Sequence, residues 1–257
     1  MNRELMIERM TWPDIRTALD DGYTSVVIAC GAVEQHGPHL PLFLDAEHGT
    51  ALAKGIARRL GNALVAPTIR IGCSEEHLDF PGTISLQHST FEAVCRDYCT
   101  SLARHGFRQI YLVPSHGGNF KPLAEMSERL QGAVGPEIRI EAFTDMLAVI
   151  KLWKQVVEEE GGRAEYVGGH ADVAESSIML ALHPELVKQE AAAPGYVGTL
   201  TSSHFKRINE EGIEAISPNG ILGNPAGMSE SIGKKCIEAY VNTVVSYFRK
   251  KTHRPRA

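Results

Sequence analysis

Glu34 and His36 place a carboxylate and an imidazole two residues apart, directly after a short β-branched run. In an extended segment, residues i and i+2 point to the same side, so both side chains can reach one site. Asp45 follows where the loop is predicted to end and a helix to begin, and its two carboxylate oxygens can bridge two cations. Histidine, aspartate and glutamate without thiolates favour Zn, Mn or Fe(II) over a structural cysteine-type zinc site.

A second polar group follows a later apolar run, where His116 opens the sequence HGGN. In open α/β sheets, ligands bind beyond the carboxyl ends of the strands, so His116 is expected to join Glu34, His36 and Asp45. Taken singly, a loop carboxylate is usually a turn or cap residue and a histidine is usually just partly buried. Together the four residues favour a centre of two metals, about 3.5–4 Å apart, that activates water and polarises a carbonyl group.

The elements that must position these residues alternate between strand and helix patterns, which predicts βαβ units around a largely parallel sheet. Irregular segments are expected at 72–85, 161–169 and 186–225, and Ser89 is a plausible helix N-cap. The predicted strands are 25–30, 63–66, 109–113 and 138–143, and the predicted helices are 46–60, 89–105, 121–130, 146–160, 171–182 and 229–250.

Composition limits the class of protein. Of the 257 residues, 43% are hydrophobic and 22% are charged, which is typical of a globular domain. The net charge of -5 argues against nucleic-acid binding, and no window approaches the roughly 20 apolar residues of a membrane span. The N-terminus lacks an apolar leader segment, so we expect a cytoplasmic protein with one domain over 1–250 and a basic tail over 251–257. The five scattered cysteines are expected to be small buried residues.

The segment 31–41, GAVEQHGPHLP, with Asp45 after it, resembles the signature loop of the creatininase (creatinine amidohydrolase) family. Further stretches agree in order over roughly residues 5–250. They are Glu76-His77 with FPGT at 80–83, SHGGN at 115–119, His170-Ala171 with Glu175-Ser176, and 220–225. The resemblance implies a three-layer α/β/α fold with a mostly parallel central sheet, a two-metal centre and a homohexamer built as a trimer of dimers.

By this resemblance, Glu34, Asp45 and His116 hold one metal, while His36 and the bridging Asp45 hold the second. Creatininase itself completes the second metal with a glutamate two residues after the third-strand histidine, where this chain has Gly118. We therefore expect Glu175 to be the substitute ligand, with an ordinary helix carboxylate as the alternative. The metals are expected to be zinc or manganese, with iron also suited to this donor set.

His170 resembles the proton-shuttling histidine of the family, with a helix-terminal residue of no catalytic role as the alternative. Tyr166 stands where creatininase carries a tryptophan lid, so the pocket is expected to differ in shape. Tyr166, Asn119 and His77 are our candidate substrate-binding residues, although loop packing explains His77 and helix initiation explains Asn119 equally well.

Three functions remain open from the sequence. The first is an amidohydrolase that cleaves a C–N bond of a small cyclic amide or formamide, with His170 protonating the leaving nitrogen. The second keeps the metal centre but acts as a keto-cyclitol hydrolase on a C–C bond, or as a peptidase that matures a peptide-derived cofactor. The third is a non-catalytic binding protein, and the complete set of Glu34, His36, Asp45 and His116 weighs against it.

Overall fold

The central sheet has four parallel strands in the order β2-β1-β3-β4. The structure is a computed structural model, and it describes residues 3–252. The strands are β1 Ser25–Cys30, β2 Ala63–Val65, β3 Gln109–Pro114 and β4 Arg139–Ala142. These bounds agree with the predicted strands to within one residue. β1 is buried along its whole length, as the continuous apolar run SVVIAC requires of a strand covered on both faces.

Eight helices surround or follow the sheet in the described part of the chain. They are α1 Trp12–Asp20, α2 Leu44–Leu60, α3 His88–His105, α4 Phe120–Gly132, α5 Met146–Glu159, α6 Val173–Leu182, α7 Ser202–Glu211 and α8 Glu230–Thr252. α3 begins at His88, and neither Gln87 nor Ser89 caps it with a side-chain hydrogen bond. The prediction that Ser89 is the N-cap of this helix was therefore wrong.

Alternate residues of β1 divide the core into two apolar clusters. Val27 and Ala29 pack in one cluster with residues of α2, α5, α6 and α8. Val26 and Ile28 pack in the other with residues of α3 and α4. Since successive side chains of a strand point to opposite faces, this division places helices on both sides of the sheet. The predicted three-layer α/β/α fold with a mostly parallel sheet is confirmed.

The register between β1 and β3 determines where polar loops meet. Cys30, the last residue of β1, pairs with Pro114, the last residue of β3. Both strands run in the same direction, so the loop that starts at Gly31 and the segment that starts at Ser115 leave the sheet at the same edge. The two motifs singled out in the sequence are thereby brought together.

The prediction of a loop over 161–169 was wrong for its last three residues. Val167–His170 forms β5, which pairs antiparallel with β6, Leu222–Gly223. A Cβ atom on Gly168 would lie 2.4 Å from the carbonyl oxygen of Leu222. Glycine permits this close approach of two backbones. A local sequence pattern does not show contacts between remote segments, so the glycines predicted a loop here.

The predicted irregular segment 186–225 was also partly wrong, because it contains α7. This helix starts after Thr201, whose side chain and that of His204 form a reciprocal capping pair. Only Ile208 of α7 is buried, so few apolar residues mark this helix in the sequence. The helix α1 is likewise absent from the predicted helices.

The remaining predictions concern burial and the chain ends. All five cysteines are free and buried, as expected. Among the helices of the described residues, none combines the length and apolar character that a bilayer span needs. The basic tail was predicted for 251–257, and its residues 253–257 lie outside the described part of the chain.

Candidate metal centre

Four side chains converge where β1 and β3 end. Glu34 and His36 come from the loop after β1, Asp45 is the second residue of α2, and His116 follows β3. Ser115 joins these pieces, because its hydroxyl donates to the main-chain oxygen of Asp45 at 2.7 Å. The structure therefore brings together all four residues that the spacing of the motifs selected.

The ligand atoms of these residues lie close to one another in the interior. His116 Nδ1 is 3.2 Å from Glu34 Oε1 and 3.5 Å from Asp45 Oδ2. His36 Nε2 is 3.6 Å from Asp45 Oδ2 and 4.0 Å from Glu34 Oε1. All four residues are buried, with Glu34 and His36 wholly inaccessible to solvent. Asp45 Oδ2 therefore stands between the two imidazoles, as a bridging carboxylate would.

Several of these atoms have no hydrogen bond. Both carboxylate oxygens of Glu34, Oδ2 of Asp45 and Nε2 of His36 are buried without a hydrogen-bond partner. Leaving buried polar or charged atoms unpaired is costly, and buried charges in proteins are usually paired or bound to metals. The donor set and its unpartnered atoms therefore fit divalent cations.

Main-chain carbonyl groups orient both imidazoles. His36 Nδ1 lies 3.1 Å from the Glu34 carbonyl oxygen, and His116 Nε2 lies 2.7 Å from that of Cys73. A carbonyl oxygen can only accept, so each of these nitrogens donates its proton. The opposite nitrogen of each ring faces the carboxylates, which is the arrangement usual for metal-bound histidine.

Glu175 joins this centre from the first turn of α6. Its Oε2 is 3.8 Å from His36 Nε2 and accepts a hydrogen bond from the Ala171 N–H at 2.5 Å. Burial, opposed in part by the nearby His36 charge, raises the pKa of the Glu175 carboxyl to about 8. His36, His170 and Glu175 form one of three buried sets whose ligand atoms lie within 4.8 Å of one another.

His170 ends β5 and does not begin the following helix as predicted. Asp172 is the N-cap of α6, and its carboxylate accepts from the N–H groups of Ala174 and Glu175. Between them Ala171 has a φ of 52°, a left-handed conformation that non-glycine residues rarely adopt. This bend turns His170 toward the centre, where its Nδ1 lies 3.7 Å from Glu34 Oε1.

His77 reaches the same carboxylate from the loop that precedes α3. Its Nε2 is 3.4 Å from Glu34 Oε1, and its ring lies against that of His170 with centroids 4.4 Å apart. Glu34, His77 and His170 form the second buried set, and Glu34, His36 and Asp45 the third. Of the three candidate substrate-binding residues, His77 is the one that contacts the centre.

The pKa values of these groups reflect a strongly negative centre. Burial favours neutral imidazoles at His36 and His116, yet the carboxylates beside them raise both pKa values to about 10. Burial also opposes the charge on Glu34, but His116 and His77 hold its pKa well below the ordinary value. The field that retains protons on these histidines is the field that would attract divalent cations.

His77 and His170 behave differently. Burial lowers the pKa of His77, and burial together with the neighbouring His36 and His77 holds the pKa of His170 well below its ordinary value. Both rings are therefore neutral near pH 7, so each carries one proton and one free lone pair.

Asn119 has a structural role that the sequence did not reveal. Its Oδ1 accepts from the Cys73 N–H, and its Nδ2 donates to the carbonyl oxygens of Cys30 and Gly31, all at 3.0 Å. Both amide protons are used by the backbone. Asn119 therefore clamps the loops around the centre, and its role in substrate binding stays a prediction.

Tyr166 lies four residues before His170 and is half-buried. Its ring lies 4.7 Å beneath the guanidinium of Arg163, and it packs at the edge of the larger core cluster. These contacts place it at the start of β5 and do not bring it against the ligand atoms. Its role in shaping the pocket stays a prediction.

Gly118 occupies a place where no side chain fits. A Cβ atom there would lie 2.2 Å from the Cys73 carbonyl oxygen and 3.2 Å from Glu76 Oε1. His116 Nε2 would lie 2.5 Å from it, so the Cys73 carbonyl group and the His116 ring leave no room for a side chain here. The glycine at this position, where creatininase is expected to have a glutamate, thus agrees with the tight packing around it.

Sequence reasoning missed two buried residues at the centre, Gln35 and Asp172. Gln35 contacts both His77 and His170, and Asp172 holds the turn between His170 and Glu175. A signal existed for Gln35, since it stands between two candidate ligands. Asp172 stands directly before a helical pattern, where aspartate is a favoured N-cap.

Several known proteins are similar to this chain in sequence. The sequence model of the Creatininase family, described as creatinine amidohydrolase, matches residues 8–248. A mycofactocin precursor peptide peptidase of Mycobacterium ulcerans is 31% identical, over 92% of this chain and 89% of the relative. A creatinine amidohydrolase of Pseudomonas putida is 30% identical, over 73% and 75% of the two chains. A 3-dehydro-scyllo-inosose hydrolase of Thermotoga maritima is 26% identical, over 91% and 79%.

Solved structures show the same fold. A creatinine amidohydrolase structure has a TM-score of 0.81 at 24% identity, over 99% of this chain and all of that one. A glutamate-to-glutamine variant of creatininase in a zinc–zinc form has a TM-score of 0.79 at 25% identity. A manganese form of creatininase has a TM-score of 0.79 at 24% identity. Each of these two covers 98% of this chain and all of its own.

Proposed function

Because this chain belongs to the creatininase family of metal-dependent amidohydrolases, we propose that it hydrolyses a C–N bond of a small cyclic amide or formamide at a two-metal centre. The observation that carries the proposal is the buried convergence of Glu34, His36, Asp45 and His116 with unpartnered ligand atoms. A protein that had lost catalysis would have little reason to retain this costly arrangement.

We assign the ligands from the distances between their atoms. Glu34, Asp45 and His116 would hold one metal, and His36, Asp45 and Glu175 the other, with Asp45 shared. The short approaches of Asp45 Oδ2 to both imidazoles support this division. The mixed oxygen and nitrogen donors suit zinc, manganese or iron(II). When bound, two such cations polarise a carbonyl group and lower the pKa of water.

His170 would move the proton. Its Nδ1 faces the centre, and its Nε2 lies 2.8 Å from the Gln35 carbonyl oxygen, to which it can donate. Burial, with the neighbouring His36 and His77, lowers the pKa of the ring, which favours the neutral form. It can therefore accept a proton at Nδ1 and deliver it to the departing nitrogen as the C–N bond breaks. Ala171 and Asp172 hold it in place through the bend that precedes α6.

Two other activities have specific support from the relatives. The peptidase relatives favour a peptide amide as the C–N bond. The Thermotoga relative favours a keto-cyclitol substrate, in which a C–C bond would be cleaved. Both would use the same carboxylates and histidines, so the substrate decides between them.

The test is a panel of substrates offered to protein loaded separately with zinc, manganese and iron(II). Cyclic amides, formamides, short peptides and keto-cyclitols are each followed by product analysis, with Asp45→Asn as the inactive control. Turnover of an amide that is lost in Asp45→Asn supports the proposal. Turnover confined to the keto-cyclitol would replace it with the C–C hydrolase, and metal-independent turnover would overturn it.

We also propose that the chain forms a homohexamer and acts in the cytoplasm on a small molecule. The family resemblance supports the assembly, and Trp12 and Leu147 are large apolar residues that are 79% and 74% exposed. Light scattering combined with gel filtration measures the mass directly. A monomer at micromolar concentration would contradict the hexamer.

A further inference from the structure

Gln35 lies between two proposed ligands, and its buried side chain contacts two histidines. Its Oε1 accepts a hydrogen bond from the Gly37 N–H at 2.9 Å, which identifies the oxygen of the amide. Its Nε2 consequently faces His77 Nδ1 at 2.8 Å, His170 Nε2 at 2.9 Å and the Gly220 carbonyl oxygen at 3.1 Å.

The side chain of Gln35 determines the tautomer of His77. An amide nitrogen can only donate, so His77 Nδ1 must accept and cannot carry a proton. The single proton of this imidazole is then on Nε2, the atom that lies 3.4 Å from Glu34 Oε1. His77 therefore presents a hydrogen-bond donor to the centre.

The main chain of Gln35 determines the tautomer of His170. His170 Nε2 is 2.8 Å from the Gln35 carbonyl oxygen, which can only accept, and 2.9 Å from Gln35 Nε2, which can only donate. We assign this nitrogen as the donor to the carbonyl oxygen, which is the shorter of the two contacts. The two side-chain protons of Gln35 then go to His77 and to Gly220. In this assignment Nδ1, which lies 3.7 Å from Glu34 Oε1, is the nitrogen of His170 that accepts.

We propose that Gln35 is a positioning residue that gives the centre one fixed donor, His77 Nε2–H, beside one fixed acceptor, His170 Nδ1. The inference rests on the proposed function, in which His170 moves the proton. It adds that His77 donates a hydrogen bond to the substrate carbonyl oxygen as that oxygen gains negative charge. Donors held in advance for such an oxygen need no reorganisation during reaction.

The packing around Gln35 shows that the amide is accommodated specifically. Gly220 has a φ of +75°, and a Cβ atom there would lie 2.1 Å from Gln35 Oε1. The chain thus approaches the amide as closely as glycine allows. The rings of His77 and His170 are 4.4 Å apart, so the donor and the acceptor are neighbours.

Nitrogen-15 NMR of the histidine rings in metal-free protein tests the assignment, because protonated and bare ring nitrogens differ strongly in chemical shift. His77→Asn and His170→Asn identify the two signals. We expect the proton on Nε2 in both rings of the unsubstituted protein. A proton on Nδ1 of His77 would overturn the proposal.

Gln35→Glu replaces the donor by an acceptor of the same shape, so His77 Nδ1 should become protonated. Gln35→Met tests the same point without added charge, and there the Nε2–H tautomer of His77 should lose its dominance. The matched control is Gln131→Glu, whose amide bonds Ile138 and Ile140 far from the centre. An unchanged His77 signal in folded Gln35→Glu or Gln35→Met would refute the positioning role.

Kinetics supply a second measurement on whichever substrate the panel identifies. Gln35→Met should lower kcat about 100-fold with little change in KM, as removal of one oxyanion donor does, while Gln131→Glu leaves both unchanged. Equal kcat in Gln35→Met would overturn the role in catalysis. Failure of the amide hydrolysis proposal leaves the NMR result intact, so the two failures can be distinguished.

Discussion

At the scale of single residues, the proposed two-metal centre requires Asp45 to act as a bridge. Its Oδ2 is 3.6 Å from His36 Nε2 and 3.5 Å from His116 Nδ1, and it has no hydrogen bond. His36 faces Glu175 on its other side, whereas His116 faces Glu34. In the proposed assignment His36 and His116 bind different metals, and Asp45 is shared by both.

The first prediction follows from this division. Asp45→Ala should lose both metals, because a shared ligand is removed, whereas His36→Ala should lose about one. Metal content per chain, measured by elemental analysis after dialysis, distinguishes the two. Asp145→Ala, which removes the remote cap of α5, serves as the control and should retain both metals. Equal losses in Asp45→Ala and His36→Ala would contradict the bridge.

The second prediction concerns His170. Since it is expected to move a proton and not to bind metal, His170→Ala should keep both metals and a near-normal KM. Its kcat should fall by about 10²–10⁴, the usual contribution of a general acid or base. Metal analysis and steady-state kinetics are made side by side, with exposed His105→Ala as the control. Loss of metal together with activity would make His170 a ligand instead.

At the scale of elements, the junction of β5 and α6 positions both His170 and Glu175. The Asp172 carboxylate accepts from Gly168 at 2.9 Å, Gly169 at 2.8 Å, Ala174 at 2.8 Å and Glu175 at 3.1 Å. One buried side chain thus ties the end of the strand to the start of the helix. The left-handed Ala171 between them is held by these bonds.

The third prediction is that Asp172→Ala lowers the free energy of unfolding by about 3 kcal/mol, since it removes a helix cap and leaves buried N–H groups unpaired. Urea unfolding of metal-free protein measures it. Asp145→Ala is the matched control, because that cap accepts one exposed bond, from Ala148, and should cost less. Equal costs for the two caps would show that the junction does not depend on Asp172.

The fourth prediction concerns His48, which lies on α2 with neither ring nitrogen hydrogen bonded. Burial among Trp153 and Tyr240 lowers its pKa to about 3, while the unfolded chain keeps a value near 6.5. The unfolded state therefore binds more protons in this interval, and stability falls as the pH drops from 6.5 toward 3. At pH 5 this residue accounts for a loss of about 2 kcal/mol.

His48→Met should remove that part of the pH dependence. Urea unfolding of both metal-free proteins at pH 7 and pH 5 gives the comparison, and the variant should lose about 2 kcal/mol less than the unsubstituted chain. His105→Gln, a change at an exposed histidine, is the control. Parallel pH profiles for His48→Met and the unsubstituted protein would be the contrary result.

At the scale of the whole molecule, the parallel sheet brings distant loops to one edge, where we expect them to determine the choice of substrate. The Cys73 carbonyl oxygen and the His116 ring leave no room for a side chain at Gly118. This chain matches the creatininase family model. Over most of its length it also matches relatives named for peptide, creatinine and keto-cyclitol substrates. We therefore expect the loops around this shared fold to decide which substrate is bound.

The fifth prediction is that creatinine is a poor substrate. By the family resemblance, Gly118 stands where creatininase is expected to have a glutamate, and Tyr166 stands where a tryptophan lid is expected. Initial rates on creatinine and on the other amides of the panel are compared with the same metal loading. A turnover of creatinine equal to the best substrate found would contradict this prediction.

The sequence by itself determined the parallel α/β architecture and four residues of the centre. It did so because strand and helix periodicities are local, and because parallel strands release their following loops at one edge. Glu34 and His36 were visible through their spacing, and His116 through its place at a strand end. The metal-binding roles of these residues remain predictions, as does the single-domain organisation over 1–250.

Only the tertiary structure decided the rest, because it depends on contacts between remote segments. His77 meets Gln35 from 42 positions away, and His170 meets Gln35 from 135. No periodicity or local motif fixes which nitrogen of an imidazole faces a carboxylate. That choice follows from where main-chain carbonyl groups and one amide lie after folding, and with it follows which histidine donates and which accepts.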